Sequence, residues 1–183
     1  MTVLRDGRVD TDRQQDLPPP PTDEHEWTIR PVERPDIAAI KALFHKLHAF
    51  NTSLDPGFAL SEEWETHFDA AMVEALQGRE SLCLIARERL SGQPCGFILA
   101  AIHRDSPMWR HRDWVEVQAL YVERRWRGHR LAAGLLTQAC VWADRAGQRV
   151  VQLYVTASNE RAIRFYQREG FRQTQAIMRK TLT

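Results

Sequence analysis

At 183 residues with 43% hydrophobic side chains, the chain has material for one apolar core, and one domain is the expectation from its length. A net charge of +1 gives no bulk attraction to nucleic acid or to an acidic membrane surface. Cys83, Cys95 and Cys140 are odd in number and sit among apolar residues, so they read as reduced core thiols of a cytoplasmic protein.

Residues 1–26 are polar, charged and broken by Pro18, Pro19, Pro20 and Pro21, and read as a flexible tail ahead of a domain spanning 27–183. Neither a secretory h-region nor an apolar run of membrane-spanning length is expected. Trp27 to Arg30 reads as a first strand. Ile37, Ile40, Leu43, Phe44, Leu47 and Phe50 recur at helical spacing after Pro35-Asp36. Asp55-Pro56-Gly57 breaks that helix, and a second runs from about Ser61 to Leu76, closed by Gly78. Ser81–Glu88 and 94–103 read as a hairpin turning at Leu90 to Gln93, and 114–122 as the next strand. Leu131, Leu135, Leu136, Ala139 and Trp142 form a helical stripe that Gly147 ends. A buried strand is expected at 150–155, then a helix capped by Asn159 and stopped by Gly170. Strands at 171–177 and 178–182 would close the domain. This order predicts a mixed α/β (α+β) domain.

Chemistry concentrates at residues 120–132, where an apolar strand enters an arginine-rich turn that opens a helix. Helix N-termini carry unpartnered N–H groups and partial positive charge. Gly128 permits close approach to the backbone, and Arg124, Arg125, Arg127 and Arg130 surround it. Together they make a phosphate site, although a solvated charge run is the plainer alternative. Walker and dinucleotide patterns are both absent. No spacing of His, Cys, Asp or Glu suggests a metal.

Two strings carry a resemblance. Arg127-Gly128-His129-Arg130-Leu131-Ala132 resembles the pyrophosphate motif of the Gcn5-related N-acetyltransferases (GNAT), Arg/Gln-x-x-Gly-x-Gly/Ala, with Arg130 where the middle Gly is usual. Asn159 to Phe171 resembles the family's Asn-x-x-Ala-x-x-x-Tyr-x-x-x-Gly-Phe signature. The resemblance implies the GNAT acyl-CoA N-acyltransferase fold, a mostly antiparallel mixed sheet with helices on both faces. It also implies acetyl-CoA as cosubstrate and a primary amine of unidentified identity as acceptor.

Under that resemblance the strands at 114–122 and 150–155 splay apart. The pantetheine arm pairs along Leu120, Tyr121 and Val122, with an N–H near Leu120 facing the thioester oxygen. The pyrophosphate lies on Arg127, Gly128, His129, Arg130, Leu131 and Ala132. Asn159 contacts the pantetheine, and Tyr166 protonates the leaving thiolate. As residues alone, Asn159 reads as an N-cap and Tyr166 as a core aromatic beside Phe165. The family often places a Glu four positions before the strand's closing Val, where this chain has Gln118. Glu116, two residues earlier and on the same face by alternation, is the candidate base, and a surface or salt-bridged carboxylate is its alternative. The acceptor would lie between residues 44–64, carrying His45, His48, Asn51 and Asp55, and residues 104–114, carrying Asp105 and Asp113. A polyamine, an aminoglycoside or a protein amino group each fits such acids. A non-catalytic acyl-CoA sensor and a transferase of longer acyl groups remain rivals. A homodimer joined through the closing strands is a further option that the family implies.

Overall fold

Strand alternation sorts the apolar residues of this chain onto two faces of one sheet. The structure, a computed structural model, describes residues 26–182. Most of the expected N-terminal tail lies outside them. The strands are β1 (Trp27–Pro31), β2 (Ser81–Glu88), β3 (Pro94–Arg104), β4 (Asp113–Val122) and β5 (Val151–Leu153). Between and after them come α1 (Ile37–Leu54), α2 (Trp64–Gln77), α3 (Leu131–Arg145) and α4 (Glu160–Arg168). The sheet runs β1-β2-β3-β4-β5, antiparallel except for the parallel β4–β5 pair.

Cys83 and Ile85 of β2 join Phe97, Ala119 and the inward stripes of α1 and α2, including Ile40, Leu43, Phe68 and Met72. Leu82, Leu84 and Ala86 face the other way, into Leu131, Leu135, Leu136, Ala139 and Trp142 of α3. A strand covered on both faces needs a near-continuous apolar run, which is why β2 reads Leu-Cys-Leu-Ile-Ala. Leu135 is fully buried, and cutting such a side chain to Ala costs roughly 2–5 kcal/mol. α3 lies close on β1 because it carries Gly134 there. A Cβ at that position would stand 3.1 Å from the Trp27 ring.

The N-terminal half is fastened by one buried carboxylate. Asp36 is 2% exposed. Arg30 donates to its two oxygens at 2.6 and 2.8 Å, Arg87 at 2.7 Å, and the Glu33 amide at 2.9 Å. Burial alone would raise its pKa. The hydrogen bonds from Arg30, the Glu33 amide and Arg87 outweigh burial and hold it at about 2.

Two features set up the site. Leu99 pairs with Ala119 and Ala100 with Val117, so Gln118 is an extra residue, a bulge in β4. Before it, Val115 and Val117 pack on the α3 side. After it, Ala119 packs on the α1–α2 side. The second feature is the short β5, which pairs only with Val115, Glu116 and Val117 of β4. Pairing ends where β4 bulges, because the extra residue bends the strand and increases its twist. The strand expected at 150–155 is therefore three residues long, and Tyr154 and Val155 are exposed.

The closing strands expected at 171–177 and 178–182 do not form; residues 171–182 carry no regular structure. The segment has no ladder to join, since the outer edge of β5 pairs with nothing among the described residues. The segment runs instead past the loop after α1, where Arg179 Nη1 donates to Asp55 Oδ2 at 3.3 Å.

Candidate functional site

Beyond Val117, one edge of β4 has no partner among the described residues. The backbone phase on that edge follows from two hydrogen bonds. Val115 N–H donates to Val150 O at 2.9 Å, toward β5. Glu123 N–H donates to Cys95 O at 2.9 Å, toward β3. Counting back from Glu123 by strand alternation, Tyr121 and Ala119 turn their backbone groups to β3. Leu120 and Val122 therefore turn theirs to the open edge. Without the bulge at Gln118, the phase set by Val115 would turn Leu120 to β3 instead. The extra residue thus directs the Leu120 N–H into the wedge between β4 and β5.

The arginine turn lies at the end of this edge. After β4 the chain makes one 3-10 turn, Arg124–Trp126, with the Trp126 ring buried beneath it. Gly128 follows at φ 95° and Arg130 at φ 60°, ψ 2°, directly before α3. Arg130, where the motif usually has Gly, is left-handed, the conformation that glycine adopts without steric cost. No side chain caps α3, so the amides of its first turn have no side-chain acceptor. Trp27 Nε1 pins the loop from beneath by donating to His129 O at 3.3 Å.

The four arginines of the turn have different surroundings. Arg125 pairs with Glu88 at 2.8 Å and lies over the Trp126 ring. Arg127 folds back, its Nε donating to Val122 O at 3.0 Å and its guanidinium 5.8 Å from the Tyr121 ring centroid. Arg124 and Arg130 are exposed. Glu123, which borders the turn, is bound by Lys46.

The α4 residues follow β5 in the chain. Asn159 Oδ1 accepts from Ala162 N at 3.2 Å, so the N-cap alternative for its side chain is the contact present. Tyr166 packs against the α3-side core, with Phe165 at 5.1 Å and Phe171 edge-on at 5.7 Å. Burial pushes its pKa up to about 12, so the phenol keeps its proton at any working pH. Glu116 faces away from Val115 and Val117. It stands 3.9 Å from His103 Nδ1 and keeps about a fifth of its side chain exposed.

Most of the acids proposed for the acceptor region have local partners. Asp55 accepts from Gly57 N at 2.8 Å and pairs with Arg179. Asp105 accepts from Ser106 N at 2.6 Å, and Asp113 lies 3.9 Å from Arg112. His45 stacks on Trp64 at 5.6 Å, and His48 lies tilted against Phe44 at 4.2 Å. Burial lowers the pKa of His48, a neutral packing residue rather than a charged one. The sequence offers His103, beside the loop, as a residue that could line an acceptor pocket; the structure adds that it directly faces Trp114 at the loop end of the β3–β4 hairpin. The signal for that pairing lay only in the hairpin register. Among the described residues no group of His, Cys, Asp and Glu could hold a metal ion. No helix there is long and apolar enough to cross a membrane.

Known proteins share this architecture. A solved structure of the BH1408 protein from Bacillus halodurans superposes with a TM-score of 0.74 at 21% identity, covering 85% of this chain and 99% of that one. The aminoglycoside 6'-N-acetyltransferase AAC(6')-Ih from Acinetobacter baumannii gives 0.68 at 17% identity over 86% and 98%. AAC(6')-Iy, in complex with the bisubstrate analog CoA-S-monomethyl-acetylneamine, gives 0.66 at 19% over 87% and 99%. An uncharacterized N-acetyltransferase of Methanocaldococcus jannaschii is 24% identical over 151 residues, which are 82% of this chain and 63% of that longer protein. A model of the acetyltransferase (GNAT) family matches residues 42–171, well over half of the sequence. The chain belongs to the GNAT acetyltransferase family.

Proposed function

We propose that residues 27–183 form an acetyl-CoA-dependent N-acetyltransferase that acetylates a primary amine by direct attack. The observation that carries this reading is the wedge: β4 and β5 part after Val117, and the freed edge leads to an uncapped helix start behind Gly128 and Arg130. These groups suit a long, thin ligand with an anionic end. The open edge can pair with an amide-bearing arm, and the α3 amides with a pyrophosphate.

Bound acetyl-CoA would supply the thioester carbon that the amine attacks. The Leu120 N–H is directed to the edge where charge on the thioester oxygen would develop. Glu116 takes the amine proton, which frees the lone pair for attack. Tyr166, held protonated by burial, gives its proton to the departing sulfur. Arg127 and Arg130 balance the phosphate charge. The acceptor is assigned to a cationic amine, because Glu116 is less committed to a partner than Asp55 or Asp105. The three reduced thiols suit a cytoplasmic setting.

Gln118 favours one alternative, an acyl-CoA sensor without turnover, because it removes a carboxylate from the bulge. Two measurements test both readings. Acetyl-CoA at 100 times its dissociation constant should stabilise the fold by about 2.7 kcal/mol in thermal unfolding. Thiol release with an amine panel of aminoglycosides, polyamines and peptide amines should then identify an acceptor. Stabilisation without release from any amine selects the sensor, and no stabilisation sinks both.

A further inference from the structure

We propose that His103 carries the proton collected by Glu116 out to solvent. The inference rests on the reading of Glu116 as the base and adds the route by which that base is reset. His103 and Glu116 are diagonal neighbours on one face of the β3–β4 ladder, since His103 faces Trp114 and Ala101 faces Glu116. The imidazole stacks on the Trp114 ring at 4.4 Å and 26°, which fixes its plane. Its Nδ1 lies 3.9 Å from Glu116 Oε2, a gap that a small side-chain rotation or one water closes. Exposure rises outward along the pair, from 21% for Glu116 to 46% for His103.

The surrounding charges leave this pair to itself. Glu80, just before β2, holds Arg104 of β3, and Asp113 of β4 lies beside Arg112. Glu65 and Asp69 of α2 bind Lys41 of α1. On β5 the residue facing Glu116 is the neutral Gln152.

The proton balance requires such an outlet. An ammonium acceptor loses two protons on becoming an amide. One replaces the acetyl group on sulfur by way of Tyr166, and the other must leave the protein. A neutral imidazole takes that proton on Nδ1 and releases one from Nε2 to water, so His103 ends each cycle unchanged. His103 touches no substrate in this scheme and is a positioning and proton-passing residue.

The first test needs no acceptor. The His103 ring nitrogen resonances are recorded by NMR in the wild type and in Glu116→Gln. A displaced Nδ1 resonance in the variant is expected, and an unchanged one overturns the pairing. The second test uses acetyl-CoA with neamine as the probe. His103→Ala and His103→Asn should lose about tenfold in kcat, short of the roughly 10²-fold or more expected from removing the base itself. Added imidazole should restore His103→Ala and leave Glu116→Gln unrestored. Loss without rescue, or no loss, overturns the proposal. Full activity in Glu116→Gln would instead sink the reading of Glu116 as base. If neamine is not turned over, spermidine replaces it, and the NMR result decides alone.

Discussion

Two clusters of arginine teach opposite lessons. Around Asp36, Arg30 and Arg87 converge on a carboxylate that is nearly inaccessible, and both of its oxygens accept hydrogen bonds. In the turn at 124–130, only one arginine meets a carboxylate among the described residues. Arg125 is that one, Arg127 reaches a backbone carbonyl, and Arg124 and Arg130 are exposed. The first cluster ties β1, the turn before α1 and β2 together. The second offers positive charge beside free amides. Equal residue types thus serve structure or binding according to whether folding delivers an acid to them.

The largest effect should come from breaking the closed cluster. Asp36→Ala leaves two guanidinium groups without their buried partner, and breaking such a pair costs about 3–5 kcal/mol. Arg30 is 40% exposed and regains water, so about 3 kcal/mol is the expectation. Urea unfolding would measure it. If the two clusters are independent, the acetyl-CoA-induced stabilisation should persist in this variant wherever it remains folded.

The open cluster should respond in the reverse way. Arg127→Glu with Arg130→Glu places two negative charges at the anion site. Unfolding without ligand should change little beyond the lost Arg127 bond to Val122 O, while a 100-fold loss of affinity would cut ligand stabilisation from about 2.7 to about 0.4 kcal/mol. An undiminished ligand shift would remove the turn from the binding site.

Acid separates the clusters without mutation. The folded pKa of Asp36 is about 2, below its ordinary 3.8. A depressed carboxylate contributes fully above its unfolded pKa and loses that contribution as pH falls through the folded one. About 2 kcal/mol should therefore disappear between roughly pH 4 and pH 2. Asp36→Asn should flatten that part of the stability profile, measured by urea midpoints at each pH.

What could be read in the sequence was local. β2 has the expected bounds, because its residues are apolar on both faces and flanked by turn residues. The apolar stripe of α3 and the Asn159 cap were also legible, since each depends on neighbours within about one turn. What escaped depends on partners distant in sequence. The bulge at Gln118 appears only in the register of β3 against β4. The burial of Asp36 needs Arg87, 51 positions away. His103 and Trp114 meet because β3 and β4 run antiparallel through a loop that reveals no register by composition. The strands expected at 171–177 and 178–182 fail for the same reason, since a strand exists only where another strand pairs with it.

The smallest expected effect bears on the one non-glycine residue held left-handed among those described, Arg130 at φ 60°. An L side chain in that conformation costs roughly 1–2 kcal/mol. Glycine removes this cost but brings its larger unfolded-state entropy, roughly 0.5–1 kcal/mol. Arg130→Gly should therefore stabilise the unliganded fold by about 0.5–1 kcal/mol, or about 2–3 °C in Tm. The same change deletes a cation and keeps the backbone amide in place. Acetyl-CoA affinity, measured by titration calorimetry, should fall about threefold to tenfold and should depend less steeply on salt than in the wild type. That combination, a tighter fold with a weaker ligand, would place Arg130 in the open cluster by function as well as by position. A stabilised variant with unchanged affinity and salt dependence would mean that the amides alone bind the pyrophosphate. The strained arginine would then serve neither cluster.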